Sequence, residues 1–109
     1  MSFAPETDKL VNDLIQAEYK NACEQWGDKY HSLHEGYAVL LEEVEEVKEI
    51  SKDFDLDFCH FWHLIKMNRT EMVKHFANDL MVEVEKAISE LAQVVAVLMK
   101  IKNTLEVAE

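Results

Sequence analysis

The sequence predicts an all-α fold, a bundle of four to five helices, and three observations carry that prediction. Only two Gly and one Pro punctuate 109 residues, too few turn formers for a sheet of short strands. Apolar residues make up 49% and charged residues 30%, the balance of a chain that buries one face of each helix and wets the other. The apolar residues recur at steps of three and four, the period of an amphipathic helix. Residues 1–109 amount to a single domain, with no room for a second core.

The first helix is expected over about Thr7–Gln25, with Leu10, Val11, Leu14, Ile15, Tyr19, Ala22 and Trp26 on one stripe. Pro5 precedes its first turn and Gly27 closes it. Ser32 and Glu35 then stand at capping-box spacing, and Leu33, Tyr37, Leu40, Leu41, Val44 and Val47 follow as the next apolar stripe. This helix is expected to fade near Ser51–Asp55. An aromatic-rich short helix, about Leu56–Met67, comes next and belongs to an inserted helical segment over 53–78. Asn68-Arg69-Thr70 reads as a connection. From Glu71 to about Leu105 no Gly or Pro intervenes, so one long helix is expected, with Asn78 a candidate break. Its stripe is Leu80, Val84, Ala87, Ile88, Leu91, Val94, Val95, Leu98, Ile101 and Leu105.

Composition also narrows the partners. Asp and Glu outnumber Lys and Arg 22 to 11, a net charge of −11. Nucleic acid and acidic membrane surfaces bind by cation-for-counterion exchange, so both are disfavoured. Cys23 and Cys59 are too few for a disulfide framework, and neither a secretory leader nor a membrane-spanning apolar run is read in the chain. Reduced thiols and a cytoplasmic location are the expectation. Val39, Ile50, Val82 and Val97 lie outside the main stripes, where a small lone bundle would leave them wet. Assembly into a homodimer or homotetramer is expected.

The chemistry centres on Leu40-Leu41-Glu42-Glu43-Val44-Glu45-Glu46-Val47. Helical geometry makes Glu43 and Glu46 neighbours, an arrangement that costs stability unless a cation lies between them. Glu43 also falls close to Val39 and Ile50 on the helical wheel. A hard cation such as Mg²⁺ suits paired carboxylates of this kind. The alternative is a Glu-rich run that forms only the wet side of a helix. Glu90 and Gln93 repeat the three-residue spacing on the last helix, so two pairs on facing helices could surround one or two ions.

Trp26, the linker to Leu33 and then Tyr37-Ala38-Val39-Leu40-Leu41-Glu42-Glu43-Val44-Glu45-Glu46 resemble the first motif of the MazG-like all-α nucleoside triphosphate pyrophosphohydrolases. That motif, Glu-Glu-x-x-Glu, falls on Glu42, Glu43 and Glu46. The second motif, Glu-x-x-Asp, falls on Glu90 and Gln93. The wording His34 to Glu43 is similar to small phage- and prophage-borne relatives, some of which likewise read Glu-x-x-Gln. The resemblance covers about Glu24–Lys52 and Val84–Lys102. It implies a MazG-like bundle that hydrolyses a nucleoside triphosphate to a monophosphate and pyrophosphate, with Mg²⁺ as cofactor and Mn²⁺ as an alternative. Glu43, Glu46, Glu90 and Gln93 would then hold metal, and Glu42 with Glu43 would be catalytic, Glu42 orienting or activating water. A bound cation would also let a chain at −11 hold a polyanion.

The sequence departs from the motif at Gln93, whose amide can bind a metal but brings no charge and cannot serve as a base. Asp79 and Glu83, up to three turns earlier on nearly the same face, are candidate compensating acids. The insert between Glu46 and Glu90 is also longer than usual for the family. Lys66 and Arg69, with Lys74 nearby, are candidate phosphate contacts, against a default of solvated loop charge. His60 and His63 beside Cys59 invite a transition metal, but no second pair follows, so packing is the better account. Phe58, Phe61 and Trp62 could stack on a base, although their helical spacing favours a place in the core. A non-catalytic helical oligomer that binds protein or nucleotide is the rival expectation.

Overall fold

The computed structural model describes residues 4–106, apart from the side chain of Trp26, so the expected place of Trp26 on the first stripe lies outside the described residues. The architecture is all-α. Three helices account for nearly all of the described chain: α1 over Pro5–Trp26, α2 over Leu33–Lys66 and α3 over Thr70–Leu105. The four to five helices expected are thus three among the described residues.

The difference arises in α2. It does not fade at Ser51–Asp55 but continues for 34 residues to Lys66. Ser51-Lys52-Asp53 interrupts the apolar stripe, yet contains neither Gly nor Pro, and a lost stripe does not break a helix whose backbone bonds are intact. Residues 53–78 are therefore the end of α2, a tight turn and the start of α3. Asn68 makes that turn with φ +54, a left-handed conformation tolerated by Asn, while the Asn68 and Arg69 amides bond back to the Ile65 and Leu64 carbonyls. Asn78 interrupts nothing, and α3 runs 36 residues.

The Ser32–Glu35 cap forms in half. The Glu35 amide donates to Ser32 Oγ at 3.1 Å. The Glu35 carboxylate, however, reaches His31, accepting from its amide at 3.2 Å and meeting its Nδ1 at 3.1 Å. These bonds hold the Glu35 carboxyl below its usual range.

Contacts divide the chain into two units, Met1–Val44 with Leu91–Glu109, and Glu45–Glu90. In the first, the buried residues are small: Gly36 on α2, and Ala92, Ala96 and Val97 on α3, with Lys100 beside them. In the second, Leu64 and Leu80 are the buried apolar residues. Val97, expected to be wet, is core. Val39 and Ile50 are half-buried, and Val82 alone of that set is exposed. Conversely Val84, Ile88, Leu91, Leu98 and Leu105, expected on the core stripe, are all exposed. Helix α3 carries two apolar faces, and the periodicity of either satisfies the same pattern.

Gly36 sets how closely α2 approaches α3. A Cβ there would lie 2.8 Å from Ile101 Cγ1 and 3.1 Å from Tyr30 Cδ2. Gly36→Ala should destabilise the fold by about 1 kcal/mol, because the steric cost outweighs the helix-propensity gain. Urea unfolding measures the difference. An unchanged or raised midpoint would show that Ile101 moves aside freely.

Candidate metal centre and adjoining cavity

Leu40, Val44 and Val47 are half-buried on α2, which turns Glu43 away from bulk water beside half-buried Val39. Glu46 follows one turn later and is exposed. Glu90, half-buried, comes from α3, two residues before the buried Ala92. One carboxylate oxygen from each of Glu43, Glu46 and Glu90 lies within 4.8 Å of the others. Glu46 and Glu90 belong to the same unit, and Glu43 stands one turn earlier on the unbroken α2.

Two full negative charges at that separation repel by about 1 kcal/mol in water and about 3.5 kcal/mol at an effective dielectric of 20. Sharing a proton or a cation relieves this. Ligand oxygens around an octahedral Mg²⁺ stand about 3 Å apart when adjacent and about 4.2 Å when opposite, given Mg–O distances of about 2.1 Å. Three oxygens within 4.8 Å of one another are thus near the spacing a shared hard cation requires. The donor set, all carboxylate oxygen, suits Mg²⁺ or Mn²⁺ rather than a thiophilic metal.

Gln93, half-buried, does not add a carboxylate but lines a cavity of about 360 Å³ together with Glu43. Glu18, Asn21 and Gln25 from α1 and Tyr30 and Lys100 complete the polar part of its wall. Burial, and then the negative charges of Glu35 and Glu43, hold the Tyr30 phenol above its ordinary pKa. Glu42 is exposed, one residue before Glu43.

The proposed compensating acids lie elsewhere. Glu83 precedes Glu90 by seven residues and Asp79 precedes it by eleven, about 10 and 16 Å along α3 by helical rise. Both group instead with Asp53 and Asp57 of α2. A hydrogen bond with Asp57, lost solvation, and the charges of Asp57, Asp53 and Asp79 push Glu83 up to about 7. A carboxyl whose folded pKa exceeds its unfolded value binds more protons when folded, so its contribution is complete at low pH and is lost as pH rises. Stability should therefore fall between about pH 4.5 and 7, the interval from the ordinary to the raised value. Asp57→Asn should flatten that part of the profile, as thermal unfolding at several pH values would show. An identical slope in the variant would remove Glu83 as its source.

Lys66 and Arg69 also stand apart. Lys66 is twenty residues beyond Glu46, about 30 Å along α2 by helical rise, and its ammonium lies 5.5 Å from the centre of the Trp62 ring. Arg69 Nη2 donates to Met72 Sδ at 3.5 Å. Neither reaches a phosphate held at Glu46. His60 packs its ring edge-on against Phe76 at 4.7 Å, which is aromatic packing and not ligation. Phe58 and Trp62 are exposed, so the core account of those two is corrected. Cys23 and Cys59 are free thiols.

Lys100 and Tyr30 went unnoticed in the sequence, yet a signal was present. Lys100 follows Gln93 by seven residues and Ala96 by four, which puts it on the face of α3 that carries Gln93. The chain matches no protein-family model, no curated protein sequence and no solved structure. Among the described residues, no helix is long and apolar enough to cross a membrane.

Proposed function

We propose that this chain hydrolyses a nucleoside triphosphate to a monophosphate and pyrophosphate, with a divalent cation held by Glu43, Glu46 and Glu90, and does so as a homo-oligomer. The observation that supports this most is the convergence of those three carboxylates, from two helices, within 4.8 Å. They are the same residues at which the sequence resembles the MazG-like motifs. A bound Mg²⁺ or Mn²⁺ would neutralise phosphate charge and orient the reacting groups. The chain's own residues do the rest. Glu43 and Glu90, half-buried, fix the position of the cation, and Gln93 offers an amide to the cavity that Glu43 also lines. Glu42, in solvent one residue away, can accept a proton from water.

Self-association is supported by α3. Met81, Val84, Ile88, Leu91, Leu98 and Leu105 follow one another at steps of three, four and seven residues and are between 44% and 64% exposed. That spacing is the seam of a coiled coil, and a second copy presenting the same seam would cover it. Dimer and tetramer both satisfy this. The free thiols fit a cytoplasmic setting, which belongs to the same proposal.

Release of pyrophosphate from ribo- and deoxyribonucleoside triphosphates, with Mg²⁺ and with chelator, tests the activity. Mg²⁺-dependent release from at least one substrate is expected, and none from any would overturn it. Gln93 favours a second account, a helical oligomer that binds ligand without turnover, because an amide in this wall supplies no charge. Gln93→Asp discriminates the two: it should raise turnover in a working or decayed enzyme and leave a pure binding module inert.

A further inference from the structure

Lys100 is buried to 3% relative exposure, and it is the buried charged residue of the first unit. Its ammonium lies 4.4 Å from the centre of the Tyr30 ring. That geometry is built by the backbone. The Tyr30 amide donates to Thr104 Oγ1 at 2.8 Å, and the Thr104 hydroxyl donates to the Lys100 carbonyl at 2.9 Å. Asn103 Nδ2 donates to the Asp28 carbonyl at 3.3 Å and to the Tyr19 hydroxyl, which ties the α1–α2 loop to the end of α3. Gly36 leaves the room that the Tyr30 ring occupies. Three separate features thus hold one ring against one ammonium.

A buried ammonium is costly unless compensated; a ring face compensates it only in part, and the Glu35 carboxylate, whose pKa the His31 hydrogen bonds and then the Lys100 charge help to lower, supplies a further share. Lys100 also forms, with Tyr30 and Val39, the wall shared by two cavities. One contains Glu43 and Gln93. The other, about 400 Å³, is lined by Lys29, His31 and Glu35 as well. Lys100 therefore stands between the cavity that holds Glu43 and one lined by Lys29 and by His31, whose Nδ1 meets the Glu35 carboxylate at 3.1 Å.

We propose that Lys100, with Lys29 and His31, forms the subsite that recognises an oligophosphate, with Lys100 meeting the phosphoryl group next to the metal centre and the loop meeting the distal one. This deepens the proposed hydrolase function, since it supplies cations for the part of the substrate that lies beyond the carboxylates. In a chain at −11, Lys100 and Lys29 set two ammonium groups among the carboxylates of Glu18, Glu35 and Glu43 that line the same two cavities. Tyr30 holds the ammonium in place and is a positioning residue.

Calorimetric titration of inorganic tripolyphosphate into the wild type and Lys100→Met, each with Mg²⁺ and with chelator, tests this. Met keeps most of the apolar stem and removes the charge. Affinity should fall roughly tenfold or more in both conditions, the size expected for a charged hydrogen bond. Stabilisation by Mg²⁺ alone should be unchanged. Wild-type affinity in the variant, or no wild-type binding in either condition, would overturn the subsite. Wild-type binding that depends on Lys100 without any response to Mg²⁺ would instead reject the metal centre and keep the subsite. Should Lys100→Met fail to fold, Lys29→Ala with His31→Ala, both on the exposed loop, must weaken tripolyphosphate binding; unaltered affinity there would refute the proposal.

Discussion

Glu43→Gln should abolish the response to Mg²⁺ and reduce pyrophosphate release about hundredfold or more. Altering a partner in the outer shell of a metal site commonly costs about 10- to 100-fold, and a direct ligand stands at or beyond the upper end. The substitution keeps shape and removes charge, so its effect on the apo protein should be opposite in sign. When all three are ionised, Glu43, Glu46 and Glu90 repel one another across at most 4.8 Å, and a neutral amide removes two of the three repulsive pairs. Thermal unfolding in chelator should therefore show Glu43→Gln at least as stable as the wild type. Addition of Mg²⁺ should raise the midpoint of the wild type alone. A variant that is less stable in chelator, or equally stabilised by Mg²⁺, would contradict the shared-ion account.

The second large effect concerns α3. Val84→Lys combined with Leu98→Lys should convert the assembled protein to a single chain of 12.7 kDa by light scattering. Both residues are exposed on the seam, at 44% and 46%, so neither substitution disturbs the buried residues of its own chain. Placing like charges along the seam of paired helices costs both the apolar contact and the repulsion. On the proposed assembly, the unfolding midpoint should drop by roughly 10 °C or more and become independent of concentration. A wild type that is already monomeric would remove the seam as an interface.

The sequence made the helical class, the first helix and the long last helix legible, since scarcity of Gly and Pro and a period near 3.6 act locally. Three-residue spacing on a helix made Glu43 and Glu46 neighbours and paired Glu90 with Gln93, whereas the meeting of Glu90 with the first pair depends on tertiary packing, which no spacing within one helix fixes. Which face of α3 turns inward was not legible. Val97 and Leu98 are adjacent and equally apolar, yet one is buried and the other exposed, and the choice rests on the small residues Ala92 and Ala96 that let a neighbour approach. The break expected at Ser51–Asp55 is absent for a related reason: loss of amphipathic pattern is not loss of helix, and α2 continues to Lys66. Asp79 and Glu83 share a face with Glu90 on a wheel, but a wheel discards the rise along the axis. Lys100 was missed because a lone lysine in an apolar stretch looks like a surface charge until the Tyr30 ring is placed beside it.

Titration of Mn²⁺ followed by electron paramagnetic resonance examines the carboxylate cluster without reference to any substrate. The wild type should quench the spectrum of free Mn²⁺ saturably, and Glu43→Gln and Glu90→Gln, altering donors on different helices, should each lose that quenching. A free-ion spectrum undiminished by the wild type, or full binding by the Glu90 variant, would mean that the three side chains do not share a cation.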